Sequence, residues 1–482
     1  MTKTSVMWFR RDLRLADNMA LSAAVANSDH LALVFIIDPE QIAANGSVNQ
    51  SAFFASVSHF KSVLKAKNIS LHILSGNVTT VFSELKKELP DWQDLYFNFD
   101  ERGYGRKRDQ AIATYCRDEL QITPHPFLDF TLHSAFDIKK QDGTGYKVFT
   151  PYFKQWIQRP KKSANYDLKH SEVVKKQREL SCNEATAELN KLIRQQDSYA
   201  YENQIGEGVA KQVLIDFVSH KLADYDKNRD IPSLDATSHL SRYLRTGEIS
   251  IRTVFDAVRQ EPESDGRTTF IKELCWRDYY NMIYAMYPDQ QEKAIKTSFQ
   301  NVVWQNNEDH FKAWQSGRTG FPIVDAAMRQ LNETGWMHNR LRMVVASFLT
   351  KDLLIDWRWG EKYFQQKLVD YDPASNIGGW QWAASTGTDS VPYFRVFNPT
   401  IQSEKFDPDG TFITQYVPEL KSIKSKKIHQ PNQLTDAEQK AYGVKLNDDY
   451  PQPIVDHKAA RLRAIAVYEQ SKDYTSGRKG LT

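Results

Sequence analysis

The sequence predicts an α/β domain built on a parallel sheet, followed by an all-α domain, and three observations carry that expectation. Short apolar runs alternate with helix-like segments as far as about residue 130, the hydrophobic period turns helical beyond residue 200, and 482 residues exceed what one compact core accommodates.

The first part holds the runs SVMWF, LALVFIID, LHILSG and DLYFNFD. Each has strand length, and helical spacing fills 51–66 and 106–120 between them, so a parallel sheet with helices on both faces is expected over 1–130. No GxGxxG follows the first run and no GxxxxGK[ST] occurs anywhere, so a dinucleotide is not expected at the first βα turn. Residues 131–200 turn polar and lysine-rich, and QDGTGY and RPKKS mark them as an interdomain connection. Beyond that, Val209, Val213, Leu214 and Phe217 recur at helical spacing, as do Leu341, Val344, Val345, Phe348 and Leu349. The helical domain is expected over 201–475, with SIKSKKIHQPNQ near 422–433 as a loop inside it.

Composition narrows the function classes. With 41% hydrophobic and 26% charged residues the chain reads as ordinary globular protein. Lys plus Arg number 63 against 60 Asp plus Glu, so any DNA footprint has to be local. Cys116, Cys182 and Cys275 lack CxxC spacing, which argues against a disulfide framework or a structural zinc site. The opening MTKTSVMWFRRDLRLADN carries no signal-like apolar run, and no stretch approaches the roughly 20 apolar residues of a membrane helix. A cytoplasmic protein without a metal site is expected. Aromatic residues make up 12% of the chain, and its 11 Trp concentrate after residue 270. A large aromatic core explains that composition on its own; stacking and electron transfer are the alternatives.

Three helical-domain segments gather chemistry. In FIKELCWRDYYNMIY, Glu273, Trp276 and Arg277 fall at i, i+3 and i+4, so one helix face presents a carboxylate, an indole and a guanidinium. An amphipathic helix with a local Glu-Arg pair has the same pattern. In HNRLRMVVASFLTKDLL an aliphatic stripe faces the core, and Asn339, Arg340, Arg342 and Met343 lie on other faces. Asn339 and Met343 share one face at i, i+4, which suits a mixed polar and apolar pocket or a surface amide beside a gap-filling thioether. His338 has no HxxxH or HExxH partner and reads as structural. The third segment, VDYDPASNIGGWQWAASTGTD, combines Asp370, Asp372, Asn376, two Trp and the pair Gly378-Gly379. The glycines allow a ligand close to backbone, or else a turn between helices. TSHLS at 237–241 offers hydroxyls before a helix, as a phosphate cradle or an ordinary cap.

Together these blocks resemble the photolyase and cryptochrome family, from WFRRDLRLADN to YPQPIVDHKAAR. The most specific are GRTGFPIVDAAMRQLNETGWMHNRLRMVVASFLTKDLLIDW and GGWQWAASTGTD, which look like the bacterial class I cyclobutane dimer photolyases. The resemblance implies an N-terminal α/β domain with a five-stranded Rossmann-like parallel sheet and a helical domain holding FAD. It places Tyr225, Thr237, Ser238, His239, Leu240, Ser241, Arg277, Asn339, Arg342, Asp370, Asp372 and Asn376 around the cofactor. Asp370 and Arg342 are expected to pair beside the flavin, with Asn376 facing its N5.

The activity implied is light-driven repair of cyclobutane pyrimidine dimers: excited reduced flavin passes an electron to a flipped-out dimer. Glu273, Asn339, Met343 and Asn376 are then the catalytic set. A neutral Glu273 requires burial. Trp276 and Trp382 wall the lesion, Arg229, Arg340 and Arg395 grip phosphates, and Trp380, Trp357 and Trp304 relay electrons to oxidised flavin. The implied partner is UV-damaged DNA, bound by a monomer with no obligate protein partner and no membrane.

The resemblance departs in FDERGYGRKRD, where Tyr104-Gly105 replaces the Asn-Glu pair of folate-binding members, and Asn45 stands where those members carry His. The antenna is therefore a deazaflavin, a flavin, a folate bound differently, or none. A photoreceptor role or repair of the (6-4) photoproduct are the rivals. The short closing SKDYTSGRKGLT and the stretch Trp336-Met337-His338, which supplies no histidine pair, argue against them.

Overall fold

The computed structural model describes residues 2–42, 46–181 and 184–479. Asn45 and Cys182, both named above, lie outside the described residues. Packing groups the chain into two compact units, residues 1–226 with 238–286, and residues 227–237 with 287–482.

The first unit contains five parallel strands: β1 (Thr4–Phe9), β2 (His30–Ile37), β3 (His72–Ser75), β4 (Trp92–Asn98) and β5 (Thr123–Phe127), in the order β3-β2-β1-β4-β5. Side chains alternate across a strand, so β1 and β2 feed two cores at once. Met7, Phe9, Leu31, Leu33, Phe35 and Ile37 join one. Val6, Trp8, Ala32, Val34 and Ile36 join the other. This is why the inner strands read as unbroken apolar runs. The outer strand β5 reads TPHPF and pairs only with β4. Its two prolines are tolerable because an edge strand needs fewer backbone donors.

Helices Met19–Asn27, Val48–Ala66, Val78–Glu88 and Gly103–Asp118 flank the sheet, the first three capped by Asn18, Ser47 and Asn77 accepting from backbone N–H groups. The segment 131–200 carries helices Phe149–Gln158, His170–Lys176 and Thr186–Leu192. Val173 and Leu189 from it join the sheet core. The helix Asp265–Met286 completes the elements of this unit that matter for the site.

The second unit is helical. Pro322–Thr334 begins on a proline and ends at Gly335, whose φ of +67° suits a residue without Cβ. Asn339–Ser347 follows, capped by His338, whose Nδ1 accepts from the Arg340 N–H at 3.1 Å. It runs into a wider π turn, Phe348–Asp352. Trp357–Lys367 and Pro373–Ala383 then pack tightly: a Cβ on Gly360 would stand 2.1 Å from Cη2 of Trp380. Gly378 and Gly379 lie inside the second of these helices, so the turn reading does not hold for them. The stretch 422–433 holds only the 3-10 turns Lys426–His429 and Pro431–Gln433. Among the described residues no helix is long and apolar enough to cross a membrane, and no group of three His, Cys, Asp or Glu is arranged to hold a metal ion.

Candidate cofactor and lesion site

In the first unit, Glu273, Trp276 and Arg277 share the helix Asp265–Met286, and all three are half-buried. Trp276 lies flat on Phe149, with centroids 3.7 Å apart and planes 3° from parallel, and contacts Tyr280 at 5.4 Å. The spacing did not point to Phe149, which is 127 positions away. Arg277 donates from Nη2 to the Leu244 carbonyl at 3.1 Å, so the guanidinium is oriented by backbone. The next residue, Asp278, is buried and accepts from Trp156 Nε1 at 2.8 Å and from the His133 and Leu132 N–H groups at 3.1 and 3.3 Å. Burial pushes its carboxyl up to about 7 against those hydrogen bonds.

Tyr225 is buried edge-on against Phe217 and Phe270 at 5.7 and 5.3 Å. Across the loop before the helix Ser241–Thr246, Ser238 is half-buried, Leu240 buried and Ser241 exposed. His239 has φ +51°, uncommon for a residue with a Cβ.

In the second unit, Arg342 and Asp370 form the expected pair: Nη2 donates to both carboxylate oxygens at 2.9 and 3.1 Å, and Nε donates to the Met337 carbonyl at 2.9 Å. The Asp370 side chain is 4% exposed. Asp372 caps the next helix, accepting from the Ser375 N–H at 3.1 Å. One turn later, Asn376 donates through Nδ2 to Glu361 Oε1 at 3.2 Å, and the Tyr371 hydroxyl donates to the same oxygen at 2.9 Å. Glu361 is a functional candidate that sequence reasoning missed. It lies four residues after Trp357 and three before Phe364, both buried, so the signal was an acid on a core stripe. Burial pushes its carboxyl up, opposed by the Tyr371 and Asn376 hydrogen bonds.

Trp380 and Trp357 are each 2% exposed, whereas Trp304 is half-buried with its ring 6.1 Å edge-on from Tyr468. Trp380 is lined by Phe364 at 5.0 Å. Trp382 is half-buried beside Phe397 at 6.3 Å, and Met343 is half-buried. Asn339 and Arg395 are exposed, while Thr237 and Arg229 are half-buried. Arg340 is held by Asp230, Nε to Oδ1 at 3.2 Å and Nη2 to Oδ2 at 2.7 Å. These two are 110 positions apart, and nothing in the sequence linked them.

An FAD needs hydroxyl and backbone donors for its phosphates, and both donors and acceptors for the edge of its ring. Within the first unit the bent loop at Ser238, His239 and Ser241 offers the former. Within the second, Arg342, Asp370 and Asn376 offer the latter, and a Cβ on Gly379 would meet no atom within 4 Å. Both sets fit the cofactor.

At the carboxyl ends of β1 and β4, where strand order reverses and open α/β sheets bind ligands, Arg10, Arg11 and Arg108 pair with Asp100 and Asp109. Burial raises the Asp100 carboxyl, but Arg11, Arg10 and Arg108 outweigh it and hold it below its ordinary value. Tyr104, on the first turn of Gly103–Asp118, donates to Asp38 Oδ2 at 2.7 Å. A Cβ on Gly105 would meet Asp100 Oδ2 at 2.5 Å.

A family model described as the FAD binding domain of DNA photolyase matches residues 270–470, and one described as DNA photolyase matches residues 5–170. A deoxyribodipyrimidine photo-lyase of Alkalihalophilus pseudofirmus is 42% identical over 470 residues, covering 96% of this chain and 97% of the relative. That of Escherichia coli is 38% identical over 480 residues, covering 97% and 99%. A crystal structure of a bacterial class III photolyase from Agrobacterium tumefaciens superposes with a TM-score of 0.92 at 36% identity, covering 98% of both chains. An archaeal photolyase from Sulfolobus tokodaii, solved with two FAD molecules, gives 0.80 at 32%, covering 97% of this chain and 100% of that one.

Proposed function

This chain belongs to the DNA photolyase family, and from that premise we propose that it is a deoxyribodipyrimidine photo-lyase, an FAD-dependent enzyme that uses blue light to split cyclobutane pyrimidine dimers in DNA. The observation that carries the reading is the Arg342–Asp370 pair with the Asn376–Glu361 bond six residues further along the chain, on a chain related over nearly its full length to enzymes of that name.

FAD, when bound fully reduced, would supply light-excited one-electron donation to the dimer and take the electron back. Arg342 and Asp370 hold the polar edge of the cofactor, and Asn376, its Nδ2 committed to Glu361, turns its oxygen to the remaining side as an acceptor. Thr237, Ser238, His239, Leu240 and Ser241 take the phosphate region, with Tyr225, Arg277, Asn339 and Asp372 completing the set.

Trp276 and Trp382 give flat apolar walls to the unstacked pyrimidines, and Met343 touches them. Negative charge develops on the dimer carbonyls, so a hydrogen bond from the Asn339 amide, with Glu273 completing the polar set, stabilises it where it forms. Arg229, Arg340 and Arg395 contact phosphates, which makes affinity salt-dependent and largely independent of sequence. Trp380, Trp357 and Trp304 would pass electrons one at a time from a reductant in solution, such as a thiol, to oxidised flavin. Functionally the chain divides into 1–130 as an antenna-type domain, 131–200 as a connection and 201–475 as the FAD and DNA domain. It acts as a cytoplasmic monomer without an obligate partner.

The test is photoreactivation in cells. Expressed in a UV-irradiated bacterium lacking photolyase, the chain should raise survival under blue light and leave dark survival unchanged; equal survival in light and dark would overturn the reading.

A further inference from the structure

We propose that Asp230 is an internal competitor for the DNA phosphate that Arg340 grips, lowering affinity for damaged and undamaged DNA alike. The inference rests on the reading of Arg340 as a phosphate contact.

A guanidinium recognises phosphate or carboxylate best through two parallel N–H groups. Asp230 already occupies such an edge of Arg340, with one carboxylate oxygen on Nε at 3.2 Å and the other on Nη2 at 2.7 Å. A phosphate approaching that edge meets an anion in its place.

The carboxylate is displaceable, because the two side chains are 17% and 34% exposed. The pair is only partly exposed, and a pair open to water to this extent contributes on the order of a factor of five. Nor is Asp230 needed to aim the arginine. The Arg340 guanidinium carbon lies 4.4 Å above the ring of Phe406, and Nη1 donates to Met343 Sδ at 4.0 Å, so a cation–π contact and an N–H···S hydrogen bond keep the fork in place when the carboxylate lets go. Arg229, also read as a phosphate contact, lies 3.9 Å from the same carboxylate.

In non-specific binding, each phosphate neutralised releases counterions, so the cost of exchanging Asp230 falls on every DNA sequence alike. A flipped dimer adds contacts that undamaged DNA lacks. The competitor lowers both affinities by the same factor, and the ratio between them is set by those added contacts.

The experiment measures binding of an undamaged duplex by the FAD-loaded full chain, in the dark, across a salt series. Asp230→Asn should bind about fivefold tighter than wild type, with a salt slope steeper by up to about 0.9. Glu404→Gln, which removes the same charge at an exposed position on the helix that carries Phe406, should change affinity less than about twofold. Arg340→Ala should weaken binding, and in the double variant the gain from Asp230→Asn should vanish. Unchanged or weaker binding by Asp230→Asn, or an equal gain from Glu404→Gln, overturns the competitor while Arg340 remains a phosphate contact. If Arg340→Ala itself leaves affinity and salt slope unaltered, the phosphate reading of Arg340 fails instead. The bound-flavin spectrum of each variant reports that the protein is folded.

Discussion

Asn376 and Glu361 are locked in one orientation: Nδ2 of the amide donates to Oε1 of the carboxylate at 3.2 Å, on an acid that is 4% exposed and also accepts from Tyr371. A carboxylate accepts only, so the amide has a single way to point. On the proposed reading, the amide oxygen is then the end left for the N–H of a reduced flavin.

Glu361→Gln removes that constraint, because a glutamine amide both donates and accepts. The variant should retain FAD yet lose its reduced form to air about fivefold faster, the worth of roughly one hydrogen bond. Spectroscopic reoxidation in the dark measures this. An unchanged rate would remove Glu361 from the site.

Trp304 is the half-buried member of the three indoles, and Trp380 and Trp357 are core residues. Trp304→Phe should slow light-driven reduction of oxidised flavin by at least about tenfold, or about 1.4 kcal/mol of barrier. Repair by enzyme reduced chemically beforehand should be spared. Loss of both activities would contradict a relay role.

How far this site was legible follows from how each contact is encoded. The inner strands were readable because burial on both faces leaves unbroken apolar runs, whereas β5 hid behind the prolines of TPHPF. Arg342 and Asp370 were paired only through family resemblance, since 28 residues separate them and no local pattern joins them. The Phe149–Trp276 stack and the Asp230–Arg340 pair bridge still larger separations, and single residues in polar surroundings carry no periodic signal. Val173 and Leu189 are of the same kind, isolated apolar residues whose place in the sheet core only packing reveals. Glu361 did have a signal, an acid on a buried helical stripe.

Asp278 gives stability a pH dependence whose sign is fixed. Its carboxyl is raised from 3.8 to about 7 by burial, so the folded protein keeps a proton that the unfolded chain has lost across that interval. The folded state then binds more protons, and this contribution falls as pH rises from about 4 to about 7, by up to about 4 kcal/mol. Denaturant unfolding of wild type and Asp278→Asn should show a smaller loss with rising pH in the variant, which carries no charge there at any pH. Parallel curves would mean that Asp278 titrates normally.

The central claim is light-driven dimer repair, and its most direct measurement uses a single thymine dimer in an oligonucleotide bound in the dark by purified, reduced protein. Blue light should restore two thymines, with no change in matched samples kept dark. If light restores none while FAD is bound and reduced, the enzyme does not split cyclobutane dimers.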